Sequence, residues 1–417
     1  MDRDLLEDLF RVAVAAAQPG PAVKANLPPP PKGRTVVIGA GKASAQMAQA
    51  LEQAWDGPIS GLVVTRYGYA VPCERIEIVE AAHPVPDVAG YLAARRIMET
   101  VSGLSHDDLV IALISGGGSA LLPQPGPGMS FEDEQVVNHL LLASGAPIGA
   151  MNVIRSQLSA IKGGRLAAMA APARVATLIV SDVPGDDPAL VASGPTLPIT
   201  ETRAQARQLV SLYGLDLPQA ALDLLAGEEN PAPRPDDPRL EHNTVRIVAS
   251  AALSLETAAE RAKARGLTPH ILSDAVEGEA RDVARVHAAI ASEVAIRNRP
   301  FQRPAVLFSG GETTVTMRGK GRGGRNAEFL LAFAIAVDGL ANVAAIAADT
   351  DGIDGAGDNA GAVADGSSAK RMRAAGVDPQ AALANNDAYN AFHAIGDLVM
   401  TGPTGTNVND FRAIVIR

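Results

Sequence analysis

Along the chain, short runs of branched aliphatic residues bounded by glycine alternate with longer stretches whose apolar residues fall three and four positions apart. The first pattern predicts strands buried on both faces of a parallel sheet, the second amphipathic helices packed against it. RTVVIGAGKASAQMAQALEQA (34–54) shows the unit in full: a strand, a glycine turn and an Ala-rich helix with Met47, Ala50, Leu51 and Ala54 on one stripe. GLVVTR, RIEIVEA, LVIALISGGG and ATLIVSDVPG continue a first series, with a helical stretch between 132 and 170. VRIVAS, TPHILS, PAVLFSGGETTVTM, VAAIAADTDG and FRAIVIR form a second series. This order predicts an α/β protein. GEENPAPRPDDPRLEHN (227–243), with four prolines and many charges, reads as a solvated connector. A chain of 417 residues exceeds one ordinary core, so the expected domains are 1–235 and 236–417, with the last strand free to pack back on the first domain.

Three strand ends share one chemistry. VVIGAGKAS (36–44), ALISGGGSA (112–120) and VLFSGGETT (306–314) each leave an apolar run through glycines and hydroxyls, and ligands of open α/β sheets gather at the carboxyl ends of strands. Gly116, Gly117 and Gly118 are costly to order, so their run asks for positive φ or a close approach of backbone to something else. It fits a tight strand-to-helix turn. It fits equally an anion cradle of backbone N–H groups flanked by Ser115 and Ser119. The first turn, with Gly39, Gly41 and Lys42, is not a Walker A loop, because Val36 stands five positions before Gly41 and Ala43 follows Lys42. It begins the dinucleotide fingerprint at Gly39 and Gly41 but has Ser44 where the third glycine belongs, and the following strand ends in Arg66 in place of an acid for the ribose. Lys42 is either a solvated surface residue or a clamp for a transferring phosphoryl group.

Carboxylates gather on two more strand-end loops. SDVPGDDPALVASGPT (181–196) holds Asp182, Asp186 and Asp187, and AADTDGIDGAGDNAG (347–361) holds Asp349, Asp351, Asp354 and Asp358. Asx turns or a helix cap would explain them, as would Mg²⁺ held by one or two carboxylates and substrate phosphates. An EF-hand is excluded, since the twelfth position is Asp358 and a strand precedes the loop. In GGETTVTMRGKGRGGRNAEFLLA (310–332), glycines alternate with Arg318, Lys320 and Arg322 in what reads as a flexible basic loop. Arg325 and Asn326 then stand where the chain enters a helix, and there Arg325 can make a bidentate contact with carboxylate or phosphate.

Composition narrows the partners. Aromatic residues at 3% and a formal net charge of −10 disfavour nucleic acid, which asks for a basic surface and stacking rings. Cys73 stands alone, so neither a disulfide framework nor a thiolate metal site is available, and a reducing compartment is expected. Acids among the first residues do not suit a secretory leader, and no apolar run reaches the ~18 residues of a membrane span. A cytoplasmic enzyme acting on small molecules is expected.

VIGAGKAS, HPVPD, LISGGGSALL, IRSQLSAIKGGRLA, SDVPGDDPALVASGPT, FSGGETTVTMRGKGRGGRNAEF, DTDGIDG and GPTGTNVNDF follow one another in this chain. The set resembles the class II glycerate 2-kinases, the family with a C-terminal MOFRL domain, over essentially the whole length. The resemblance implies a Rossmann-like N-terminal domain with a parallel sheet, a smaller α/β MOFRL domain with a mixed sheet, and a cleft between them. There, ATP- and Mg²⁺-dependent phosphorylation of D-glycerate at its 2-hydroxyl would take place. It implies Lys42 and Arg325 as a charge-stabilising catalytic pair with Asp182 at the reacting hydroxyl, and Asp349 and Asp351 as metal ligands. Gly39, Gly41 and the turn Ser115, Gly116, Gly117, Gly118 and Ser119 would cradle phosphate, while Glu312, Asn326, Asn407 and Asp410 complete the pocket. A homodimer is compatible with it. Members are also named hydroxypyruvate reductases. That chemistry would need NAD(P)H and a proton donor, His83 or Lys42, and the broken dinucleotide fingerprint favours the kinase.

Overall fold

The computed structural model describes residues 2–417. The chain forms two compact units: Pro19–Val183 with Asp187–Val248, and the residues up to Gln18 with Pro184–Asp186 and Ala249–Arg417.

The first unit is built on β1 (Thr35–Ala40), β2 (Ile59–Arg66), β3 (Ile76–Ala81), β4 (Leu109–Ser115), β5 (Arg174–Val180) and β6 (Thr244–Ala249). Their order is β3-β2-β1-β4-β5-β6, and the pairings from β3 through β5 are parallel. Every residue of β1 and β4 is buried, as uninterrupted aliphatic strands sandwiched by helices must be. Val36, Ile38, Val110, Ala112 and Ile114 pack against Ala93, Ala94 and Ile97 of the helix Val88–Val101. Strand order reverses between β1 and β4. That is the switch point at which open sheets bind ligands, and it places the turns after Ala40 and Ser115 side by side.

The second unit contains β7 (Thr268–Ser273), β8 (Gly278–Glu279), β9 (Ala305–Gly311), β10 (Thr313–Thr314), β11 (Val343–Asp349), β12 (Gly361–Asp365), β13 (Leu398–Val399) and β14 (Asp410–Ile416). Its six-stranded sheet runs β13-β12-β11-β14-β9-β7; β7 and β9 are parallel, the other pairings antiparallel. β8 and β10 form a separate short parallel pair. Alternation along the strands serves two layers. Leu307, Ala345 and Ile414 face Phe329 and Phe333 of the helix Arg325–Ala336, while Val306, Phe308, Ile346 and Phe411 face Leu6, Leu9 and Phe10 of the helix Arg3–Ala16.

Several expectations change. VRIVA, read as opening the second series, is β6 of the first sheet, so the first unit extends past residue 235. Residues 227–243 are fastened to that unit: Arg165 donates to Asn230 O at 3.2 and 3.0 Å, Arg234 to Thr200 O at 2.8 Å, and Val175 N to Asn243 Oδ1 at 2.7 Å. Prolines there fix an extended path that side chains of the first unit satisfy. The N-terminal helix belongs with the second unit because its apolar stripe is buried there. The last strand, β14, lies inside the second sheet between β11 and β9. Among the described residues no helix is long and apolar enough to cross a membrane.

Candidate active site

In the first unit the turn after β1 is stitched to the turn after β4. Buried Ser115 accepts from Ala43 N and shares a hydrogen bond with Ser44 Oγ, both at 3.0 Å, and Lys42 N donates to Gly116 O at 2.9 Å. The triple glycine now has a physical cause. A Cβ on Gly116 would lie 1.7 Å from Asp182 Oδ2, and Gly117 adopts a left-handed φ of +83° with His83 Cδ2 3.0 Å and Lys42 Cγ 3.4 Å from the place a Cβ would take. The glycines thus bring Asp182, His83 and Lys42 around one turn. The helix that follows is a single turn, Gly118–Leu121, so any hold on an anion rests on side chains and turn amides more than on a helix dipole. Ser119 Oγ lies 2.8 Å from Ser193 Oγ, which donates to Asn152 Oδ1 at 3.0 Å.

Lys42 is half-buried, and its ammonium group makes no ion pair among the described residues. His83 is pushed down to about 4 by burial and by the positive charges of Lys42 and Arg66. It is therefore neutral at physiological pH.

In the second unit the register sets Gly311, Asp410 and Asp349 abreast at one end of β9, β14 and β11. Arg325, the first residue of its helix, reaches this end. Its Nε donates to Asp410 Oδ1 at 2.7 Å, Nη2 to Asp349 Oδ2 at 2.6 Å and Nη1 to Glu312 Oε1 at 3.3 Å. Burial alone would lower its pKa, but Asp410 and Asp349 outweigh that and raise it. Asp410 is a buried hub: Oδ1 also accepts from Asn326 Nδ2 at 2.8 Å, and Oδ2 accepts from Arg412 Nη2 and, at 3.3 Å each, from Thr313 N and Oγ1. Asp349 is held well above the usual carboxylate range by burial and by the neighbouring charges of Asp351 and Asp410, against the pull of Arg325.

Sequence profiles match two parts of the chain: a domain of unknown function, DUF4147, over residues 5–226, and the MOFRL family over residues 305–410. A D-glycerate 2-kinase of Thermotoga maritima is 39% identical over 410 residues, 98% of this chain and 97% of that protein. The chain belongs to the glycerate 2-kinase family. The crystal structure of a glycerate kinase from Thermotoga maritima matches with a TM-score of 0.91 and 38% identity, covering 99% of each chain. A relative from Agrobacterium vitis, 54% identical over 417 residues, 99% of this chain and 94% of that one, bears a name that proposes a hydroxypyruvate reductase.

In this glycerate 2-kinase family member the predicted residues fall into two groups. Gly39, Gly41, Lys42, Asp182 and the turn 115–119 are in the first unit; Glu312, Arg325, Asn326, Asp349, Asp351, Asn407 and Asp410 are in the second. Four of these residues already have partners within the protein. Among the described residues no three His, Cys, Asp or Glu side chains converge as metal ligands, and Arg325 bridges Asp349 and Asp410, leaving Asp349 and Asp351 as a pair of carboxylates. Asp349 accepts from Arg325 and from Asp351 N at 3.1 Å, and Asp351 Oδ1 accepts from Ile353 N at 2.8 Å. Asp410 has both oxygens engaged inside the protein and positions Arg325 and Asn326. Asn407 Oδ1 accepts from Asn409 N at 3.0 Å, shaping the turn into β14.

Asp354, one of the loop carboxylates that a helix cap would explain, caps the helix of Arg325 by accepting from Asn326 N at 2.9 Å and Ala327 N at 2.8 Å; burial lifts its carboxyl to about 6. Other residues were not foreseen. The fully buried Arg412 was visible only as a charge inside the apolar strand FRAIVIR. Asn152 and Ser193 left no sequence signal.

Proposed function

We propose that the protein transfers the γ-phosphoryl group of ATP to the 2-hydroxyl of D-glycerate with Mg²⁺, giving 2-phosphoglycerate and ADP. The observation that carries this reading over the reductase is the packing at Gly41. In a dinucleotide site the second glycine of the fingerprint leaves room for the pyrophosphate. Here a Cβ on Gly41 would lie 2.1 Å from Ser115 Oγ and 2.4 Å from Ser115 O, so the chain itself fills that room. His83, neutral at physiological pH, also makes a poor proton donor for ketone reduction.

Phosphoryl transfer leaves the protein little covalent work and much positioning of charge. Lys42 brings an ammonium with no ion pair among the described residues to the glycine turn, where it would stabilise the phosphoryl oxygens, and Asp182 beside Gly116 would orient the acceptor hydroxyl and take its proton as the oxygen bonds to phosphorus. Arg325, held in a fixed orientation by three carboxylates, supplies a second cation that requires little reorganisation during reaction. Glu312, Asp349, Asp351 and Asp410 outnumber Arg325 and Arg412, and this excess of negative charge would repel a triphosphate. A divalent cation arriving with the nucleotide offsets it, and Asp349 and Asp351 are the residues that would hold it; bound there, it would neutralise phosphate charge. The test is ATP and Mg²⁺ with D-glycerate followed by ³¹P NMR, beside NADH oxidation with hydroxypyruvate. Formation of 2-phosphoglycerate that EDTA abolishes and excess Mg²⁺ restores is expected. NADH oxidation without phosphoryl transfer, or full activity in EDTA, would overturn it.

A further inference from the structure

The basic segment 318–322 is not the flexible loop that its composition suggests. Its backbone is pinned at successive residues: Arg318 N and Gly319 N donate to Asn386 Oδ1 at 2.7 and 3.0 Å, Lys320 N to Asn385 Oδ1 at 3.2 Å, Gly321 N to Asn385 O at 2.9 Å and Arg322 N to Asp387 Oδ1 at 2.9 Å. Asn386 is fixed in turn, because its Nδ2 donates to buried Glu328 Oε2 at 2.8 Å, and Glu328 Oε1 accepts from Arg281 at 2.8 and 2.6 Å.

The alternation of glycine with basic residues follows from this attachment. A Cβ on Gly319 would lie 2.4 Å from Asn385 O, and one on Gly321 would lie 2.5 Å from Asp387 Cβ, so the glycines face the protein. Arg318, Lys320 and Arg322 are exposed. Arg322 is engaged, paired with Asp358 at 3.0 Å and lying over the Tyr389 ring. Arg318 and Lys320 are exposed and make no ion pair among the described residues.

Resting on the kinase reading above, we infer that Arg318 and Lys320 form a preorganised strip that binds the phosphate tail of the nucleotide. Two cations two residues apart, with no ion pair among the described residues and on a backbone pinned at each residue, suit a polyanion. A single carboxylate such as that of glycerate needs only one of them. The segment lies in the chain between Glu312 and Arg325, which pair at 3.3 Å in the cluster described above. A protein of net charge −10 gains from concentrating cations where an anionic substrate must land.

The test measures ATP and ADP binding by calorimetry with Mg²⁺ for the wild type, Arg318→Ala, Lys320→Ala and the double variant, with exposed Lys370→Ala as a control for net charge. Each strip variant should weaken binding about fivefold to tenfold and the double about 30-fold or more, with a shallower dependence on salt. Lys370→Ala should bind like the wild type, and KM for glycerate should not move in the strip variants. Backbone amides 318–322 should be protected from hydrogen exchange without nucleotide. Unchanged nucleotide affinity in the double variant, an equal effect from Lys370→Ala, a rise in glycerate KM in place of nucleotide affinity, or unprotected amides would each overturn the inference. If the wild type binds ATP through this strip but does not phosphorylate glycerate, the kinase reading fails and the strip stands.

Discussion

Replacing Arg325 by Met separates the stabilising role of its guanidinium from its catalytic one. Asp410 would keep Arg412, Asn326 and Thr313 as donors, so it remains a satisfied anion. The Glu312 side chain is 58% exposed, and its pair with Arg325 contributes at most about 1 kcal/mol. Asp349 carries the loss: its carboxylate is 6% exposed and would retain only the Asp351 amide at 3.1 Å. Breaking a buried pair from one side costs about 3–5 kcal/mol. At roughly 2–4 °C per kcal/mol, the second unit should melt about 10 °C lower by circular dichroism at pH 8. The deficit should shrink on acidification. Burial already raises the Asp349 carboxyl, and losing Arg325 raises it further, so the folded form keeps a proton that the unfolded chain releases above about pH 4. Stability then falls as pH rises through that window, and Arg325→Met should lie nearer the wild type at pH 5 than at pH 8. Arg325→Met with Asp349→Asn removes the stranded charge and should recover most of the stability, while kcat stays about 10²–10³ below the wild type in both variants. A wild-type melting temperature for Arg325→Met at pH 8, or no recovery in the double variant, would refute the reasoning.

Lys42→Ala should lower kcat by about 10²–10³ with little change in the KM for ATP, and stability should stay within about 0.5 kcal/mol because the ammonium has no ion pair among the described residues to lose; a stable variant with normal kcat would make Lys42 an ordinary surface cation. Gly116→Ala forces Asp182 away from the turn and should cost about 1–3 kcal/mol with severe loss of activity, read by urea unfolding and kinetics; near-normal turnover would show that Asp182 need not sit there. The His83 ring protons should show no NMR titration between pH 5 and 8, since its folded pKa lies near 4. The unfolded chain takes up that proton below about pH 6.5, so His83 should weaken the fold as pH drops toward 4. Asp354→Ala should cost about 1–2 kcal/mol and speed amide exchange in the first turn of the helix Arg325–Ala336; unchanged exchange would remove its capping role.

Strand and helix order was legible because burial on both faces demands the continuous aliphatic runs of β1, β4, β9 and β11. What failed to show was partnership. VRIVA looks like any edge strand, and nothing within it says which of two sheets will accept it. β12, GAVAD, follows a loop of Asp and Gly and is too weakly apolar to stand out, yet Ala362, Val363 and Ala364 are buried. The N-terminal helix displayed its apolar stripe plainly, but the face receiving that stripe is assembled from residues some 250 or more positions later, from Leu255 to Phe411.

At the site, residue types were easier to read than their roles. Arg325 was expected to aim at a ligand because it stands at a helix entrance; the register that sets Asp349 opposite Asp410 gives it carboxylate partners before any substrate arrives. A lone sequence cannot distinguish a cation that awaits an anion from one already satisfied, because pairing depends on cross-strand register. The same reasoning separates the two cations assigned to catalysis. Lys42 leaves a turn it shares with Ser115, Asp182 and His83 and makes no ion pair among the described residues, while Arg325 is fixed in place by three carboxylates. One is free to follow a phosphoryl group and the other is held still for it. Loss of Lys42 should therefore be felt in turnover alone, whereas loss of Arg325 should be felt in turnover and stability together.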